Sequence, residues 1–190
     1  LRSLLPRRWR ALALGLIGAC ASLDEPAPPD AAAPAARALS PKNPEPLLPL
    51  AAPPALSARK LALGRRLFHD PRLSRENNIS CASCHDLARG GTDGRPRAVG
   101  RERQQGQLNT PTVLNSGLNF VQFWDGRVTS LEEQVDGPLQ NPLEMGSRWD
   151  EVIAKLQRDP SYAQAFAALY PEGVSPANVR DAIATFERSL

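Results

Sequence analysis

Cys81-Ala82-Ser83-Cys84-His85 is the stretch on which the reading of this chain turns. Two thiols sit three positions apart, and an imidazole follows the second without a gap. The pattern C-x-x-C-H is the attachment sequence for c-type haem. Each thiol can add to one of the two vinyl groups of a single haem, and the histidine then lies under the iron as proximal ligand. A chance match and half of a zinc site are the alternatives, since two cysteines and a histidine also bind zinc. Zinc needs a fourth ligand. Cys20 belongs to a different kind of segment, and His69 is the only other histidine. Covalent haem is the reading these residues favour, with Cys81 to His85 forming about one helical turn so that all three side chains reach one ring.

Helical patterns flank that turn on both sides. Ser57 is placed to cap a helix running to Phe68, with Leu56, Leu63 and Leu67 at helical spacing beside Leu61 and Phe68. Asp70-Pro71 breaks it. Downstream, Gly90-Gly91-Thr92-Asp93-Gly94 reads as a loop, and Asn109-Thr110-Pro111-Thr112 as a turn or short helix. Ser130 with Glu133 forms a capping box for a helix through Val135. Ser147 starts another helix, with Trp149, Val152, Ile153 and Leu156 on one face, and Pro160 ends it. Ser161 to Leu169 is helical. Ser175-Pro176 opens the last helix, whose stripe is Val179, Ile183, Phe186 and Leu190. No sustained alternation argues for strands, so the predicted class is all-α, a c-type cytochrome domain wrapped around one haem. The last stripe is still running at Leu190, which suggests a chain cut short.

Composition agrees with a cofactor-filled core. The chain has 190 residues, room for one domain and extras. Aromatics are only 5%, thin for a core unless a porphyrin supplies the apolar surface. The formal charge of +3 is unevenly placed. No basic stripe interleaves with aromatics, which argues against nucleic-acid binding. Arginines scattered from Arg59 to Arg103 leave room for a landing site for an acidic electron donor. Haem uses two of the three cysteines, so no disulfide framework exists. Attachment to this motif takes place outside the cytoplasmic membrane, so the domain is expected to be exported and periplasm-facing.

The N-terminal third fits that destination. Residues 1–20 resemble a signal peptide: a basic region to Arg10, then an apolar run from Ala11 to Gly18. The run is too short for a membrane-spanning helix, which needs about 20 apolar residues. Ile17-Gly18-Ala19-Cys20 resembles a lipobox, in which Cys20 is lipidated and tethers the protein to a membrane. Ordinary cleavage after Ala19 or Ala21 is the alternative. Arg7-Arg8 is a weak twin-arginine look-alike, discounted because that route carries folded cargo whereas this haem is attached after export. Residues 21–55, rich in Ala and Pro, read as a linker, and the folded domain covers 56–190.

The second iron ligand decides what the haem does. A strong sixth ligand makes an electron carrier, and an open site allows peroxide or oxygen chemistry. Met145 is the single methionine, and a mono-haem electron-transfer module with His85/Met145 ligation is the plainer reading. Beside it stand Phe123-Trp124-Asp125-Gly126-Arg127, then Gln134 and Glu144. Splitting peroxide requires a group that moves a proton between its oxygens and a polar neighbour that orients it. Glu144 and Gln134 are of those types, although alone they read as ordinary surface residues.

Four stretches carry a resemblance: "LGRRLFHDPRLS", "ISCASCHDLARGGTDG", "NTPTVLNSGLNFVQFWDGRVTSLEEQVDGPLQNPLEMG" and "AIATFERSL". From about Leu56 to Leu190 the chain resembles the N-terminal, peroxidatic half of the bacterial di-haem cytochrome c peroxidases, with the methylamine-utilisation di-haem oxidases as close relatives. The resemblance implies a haem c on Cys81 and Cys84 with His85 proximal. It implies reduction of hydrogen peroxide to water, with electrons from a small cytochrome c or cupredoxin, and it allows a homodimer. Gln134 and Glu144 match the distal residues, with Glu144 as acid–base. Phe123 matches the distal-face aromatic, and Trp124 the tryptophan between two haems. Asn109 matches a ligand of an interdomain calcium ion, and Met145 is not an iron ligand there.

Two departures stand out. Many relatives close the resting site with a distal histidine after the haem motif. Here the matching residue is Arg101, and no histidine follows His85. His69, before the motif, reads as a packed or surface residue. A second C-x-x-C-H is absent, as are the remaining calcium ligands. The chain therefore looks like half an enzyme: a fragment, a truncated product, or a domain served by a partner cytochrome. A haem domain kept only for binding or sensing is the remaining reading.

Overall fold

Helix α1, Ala58–Phe68, begins where Ser57 accepts a hydrogen bond from the Lys60 amide and buries Leu63, Gly64, Leu67 and Phe68. The computed structural model describes residues 55–190. The signal peptide, the Cys20 lipobox and the linker before residue 55 lie outside the described residues. After α1 come α2 (Cys81–Cys84), α3 (Leu131–Gln134), α4 (Asp136–Gln140), α5 (Trp149–Gln157), α6 (Pro160–Ala167) and α7 (Pro176–Glu187). Among the described residues, extended pairing amounts to two isolated bridges, Val99 with Gln105 and Gln122 with Val128. The all-α expectation holds.

Several local expectations shift. Residues 109–113 form no helix. Proline disfavours the helical region for the residue before it, and the 3₁₀ turn comes later, at Ser116–Leu118. Ser130 caps α3 through the Glu133 amide at 3.2 Å, but the Glu133 carboxylate reaches the Thr129 amide instead of closing a box on Ser130. The chain then continues into α4, which the hydrophobic pattern did not separate. Helix α5 starts at Trp149 with Arg148 as its N-cap, so Ser147 lies outside it. Pro160 opens α6 at its first position, where a missing N–H costs nothing, and Asp159 caps it. Helix α7 ends at Glu187, before Leu190.

The core is a pairing of α1 with α7, covered by α5 and α6. Leu63, Leu67, Val152, Leu156, Tyr162, Phe166, Val179 and Ile183 form one buried cluster. A smaller cluster of Phe68, Val113 and Phe186 packs against Cys81, Ala82 and Leu87. Phe68 meets Phe186 edge to face at 5.2 Å, and its centroid lies 6.5 Å from the His85 ring. The haem-motif turn is thereby seated on the α1–α7 pair.

Polar anchors hold the segment that leads into α2. Asp70, 8% exposed, accepts from Tyr162 Oη at 2.7 Å and from both Nε and Nη2 of Arg72. Burial alone would raise its pKa, but Arg72 and Tyr162 together hold it below the usual carboxylate range. Arg72 also reaches Asp159, tying this corner to the cap of α6. Lys155 donates to the carbonyls of Ser74 at 2.7 Å and Arg75 at 3.2 Å.

Gly64 sets how closely α1 approaches α7. A Cβ there would collide with the backbone carbonyl of Ala182. Alanine is the better helix former by about 1 kcal/mol, yet Gly64→Ala should destabilise the domain by about 1–3 kcal/mol through overpacking. Urea unfolding should show a lower midpoint, and a stabilised variant would contradict the close approach.

Candidate functional site

The haem-motif turn is closed by its own short hydrogen bonds. The Ser80 amide donates to Ser83 Oγ at 3.0 Å, the Ser83 amide to the Ser80 carbonyl at 3.0 Å, and the His85 amide to the Cys81 carbonyl at 2.9 Å. One helical turn brings Cys81, Cys84 and His85 to a single cavity of about 430 Å³, within the usual range for ligand and cofactor sites. His85 Nδ1 lies 3.1 Å from the Gly91 carbonyl oxygen. A carbonyl only accepts, so Nδ1 carries the hydrogen and Nε2 is left with its lone pair for a metal. Burial lowers the His85 pKa, which favours the neutral, ligating form. Gly91 has φ +70°, and a side chain there would press on Thr112 and Val113.

The sequence-predicted distal residues reach the same cavity. Asn109, Phe123, Trp124, Gln134, Glu144 and Met145 all line it. Glu144 is half-buried and accepts a 2.7 Å hydrogen bond from Asn141 Nδ2. Burial raises its pKa, while Asn141 and the charge of Arg127 oppose the rise. The Arg127 guanidinium stacks 3.4 Å from the centroid of Phe123. Trp124 is 61% exposed, and its Nε1 donates to the Asn109 carbonyl at 3.1 Å. Asn141 was not anticipated; its signal was its position three residues before Glu144 on the turn that follows α4.

His69 and Arg101 take no place in the cavity wall. The His69 Nδ1 pairs with the Arg65 carbonyl at 2.9 Å, and the ring packs on Phe68 and Phe186, in line with the packed or surface reading. Arg101 turns to Glu76, with Nε to Oε2 at 2.7 Å and Nη2 to Oε1 at 2.5 Å. Its own amide donates to the Glu144 carbonyl at 3.0 Å. The residue at the histidine-matching position therefore braces the Glu144 backbone from outside. For calcium, no group of three or more His, Cys, Asp or Glu able to hold a metal occurs among the described residues.

Residues 58–190 match the family described as di-haem cytochrome c peroxidase. The chain belongs to that family. It is 50% identical over 147 residues to the cytochrome c peroxidase Ccp of Escherichia coli K12, covering 77% of this chain and 32% of that protein. It is 43% identical over 147 residues to the cytochrome c551 peroxidase of Nitrosomonas europaea, covering 77% and 44%. A solved MauG-like protein associated with microbial copper homeostasis superposes with a TM-score of 0.67 at 34% identity, covering 80% of this chain and 46% of that one. The chain thus spans less than half the length of these relatives.

Family membership implies haem c, and the cavity fits it. Two thiols and a bare imidazole nitrogen share one space, lined otherwise by apolar side chains such as Ile79, Val135, Leu139 and Ile183. Cys81 is half-buried, and burial pushes its thiol up to about 12. A pyridine haemochrome assay on the purified chain should give about one covalent haem per chain, from the single motif. Bound zinc without covalent haem would refute this assignment.

Proposed function

We propose that this domain reduces hydrogen peroxide to water at its haem, with Glu144 as the proton-transferring group and Gln134 orienting the peroxide. One observation carries the reading: Gln134 and Glu144 line the same cavity as the two thiols and the proximal histidine. The haem, when attached, supplies the Lewis-acid iron and the electrons needed to split the O–O bond. The overall reaction takes one peroxide, two electrons and two protons to two waters. Glu144 in its ionised form takes the proton from the oxygen that stays and returns it to the oxygen that leaves as water. Gln134 offers an amide that can both donate to and accept from peroxide. Phe123, with Arg127 stacked on it, keeps water from crowding the site.

Electrons would enter from a small cytochrome c or cupredoxin. Exposed Leu108 and Trp124, both on the cavity wall, support an apolar docking area at the cavity mouth, with Trp124 as the entry route, and a second haem domain would meet the same area. The covalent haem supports placement outside the cytoplasmic membrane, with Cys20 as the lipid tether.

Arg101 stays protonated and cannot bind iron, and here it is paired with Glu76. The resting ferric haem should be five-coordinate or carry only water, largely high-spin, and open to cyanide or azide without prior reduction. Met145 also lines the cavity, so the electron-carrier reading makes the opposite prediction. It requires a low-spin spectrum with a sulfur–iron charge-transfer band that Met145→Ala removes, and that result would displace the peroxidase reading.

Glu144→Gln should slow the bimolecular reaction with peroxide, followed by stopped-flow haem absorbance, by roughly a hundredfold or more while leaving the resting spectrum unchanged. A rate within a factor of two of wild type would remove Glu144 from the mechanism. The pH profile gives a second check. Glu144 must be ionised to accept the first proton, so the rate falls as pH drops through its pKa. Asn141 donates to the carboxylate and lowers that pKa; Asn141→Ala should therefore move the acid limb of the profile to higher pH.

A further inference from the structure

One carboxyl on the cavity wall has no part in the peroxide chemistry. Glu187 is the last residue of α7, one turn after Ile183 and on the same face, and both line the cavity. It is 6% exposed, and among the described residues its Oε2 has no hydrogen-bond partner. A buried, unpartnered carboxylate is costly because neither water nor a donor stabilises the charge. Its neighbours do not supply one. Arg188 is turned to Glu132 of α3 in a two-pronged pair at 2.7 and 2.8 Å. On α1, Lys60 is engaged with Asp181 at 2.8 Å, and the His69 imidazole is held by the Arg65 carbonyl. On α2, Cys81 lies close enough for the charge of Glu187 to add to the burial that raises its thiol, and its sulfur no longer titrates once bound to haem. Burial lifts the Glu187 carboxyl to about 8, with Arg188 lowering it and Glu132 raising it.

We propose that Glu187 is the proton-coupling group of the haem: it holds a proton while the haem is reduced and releases it when the haem is oxidised. The proposal rests on haem c occupying this cavity and not on the peroxide reading. The ferric haem carries one more positive charge than the ferrous. In a poorly polarisable cavity that charge favours the ionised carboxylate beside it, and removing the charge favours the acid. The balance is ferric haem, carboxylate, one electron from a one-electron donor and one proton from water, giving ferrous haem and carboxylic acid. Only an O–H bond forms, and the electron resides on the iron. If peroxide is the substrate, such a group brings a proton to the site with an electron, as the formation of two waters requires.

The test is a redox titration of the haem-loaded protein between pH 5 and 10, after a haemochrome assay has confirmed the covalent haem. A failed assay would defeat the haem reading; the titration judges Glu187. The wild-type reduction potential should fall as pH rises across the range in which Glu187 ionises. Glu187→Gln should flatten that region while leaving the rest of the curve. Glu144→Gln, which removes another of the carboxyls lining the cavity (the third, Asp125, is paired with Arg127), should keep it. An unchanged slope in Glu187→Gln, or its loss in Glu144→Gln, would overturn the proposal. Infrared difference spectroscopy on unmutated protein gives a check that needs no variant to fold. Reduction at neutral to mildly alkaline pH should produce a protonated-carboxyl C=O band that shifts in D₂O, and its absence would also overturn the proposal.

Discussion

A hydrogen bond from His85 Nδ1 to the Gly91 carbonyl oxygen sets the terms for the rest of this structure. An imidazole can serve a metal only through a nitrogen that bears no hydrogen, and the partner of the other nitrogen decides which one that is. The carbonyl reaches the ring because Gly91 adopts a positive φ and because the strand-like run through Val113 returns to bond it, with the Val113 amide donating to the same carbonyl at 3.2 Å. Thr112 Oγ1 closes on the Gly90 carbonyl at 2.7 Å. The loop after the haem motif is thus held by a segment some twenty residues further on. Phe68 and Phe186 support the turn from beneath, so the orientation of one ring depends on the α1–α7 contact.

The cavity wall shows how environment separates two groups of one chemical type. Glu144 has a donor in Asn141 and a nearby cation in Arg127; both moderate the rise in pKa that burial causes. Glu187 Oε2 has no donor among the described residues, and the adjacent Arg188 is diverted to Glu132. One carboxyl thus has its rise opposed by a donor and a cation. The other is held where its charge state answers to the charge of whatever fills the cavity. Arg101 is the counterpart on the outside. Paired with Glu76 and bonded through its amide to the Glu144 carbonyl, it works as a brace for the segment that carries the acid.

The haem-motif turn, the caps at Ser57, Ser130 and Ser175, the all-α class and the candidate residues were legible in the amino-acid sequence. Each depends on short-range chemistry: two thiols and an imidazole on one turn, a hydroxyl meeting an amide three residues on, an apolar stripe at helical spacing. Phe123, Trp124, Gln134 and Glu144 stood out by type, although Gln134 and Glu144 alone read as surface positions; the resemblance supplied their roles. Boundaries failed where two local signals competed. Ser147 looked like a cap, yet Arg148 took that place, and Pro160 read as a stop although it opens α6.

Tertiary structure alone decided partnership and burial. Nothing within the sequence says that Asn141 turns its amide to Glu144, that Arg101 leaves the cavity for Glu76, or that Gly64 lies on the Ala182 carbonyl. Glu187 is the clearest case. In sequence it is a glutamate near the end of an amphipathic helix, beside an arginine that looks ready to pair with it. In the fold, helical rotation places it on the face of Ile183, toward the cavity, while Arg188 faces Glu132. Sequence specifies which groups are present and how neighbours along the chain can meet. The electrostatics of a site depends on contacts between residues far apart in the chain, and these exist only once the helices have packed.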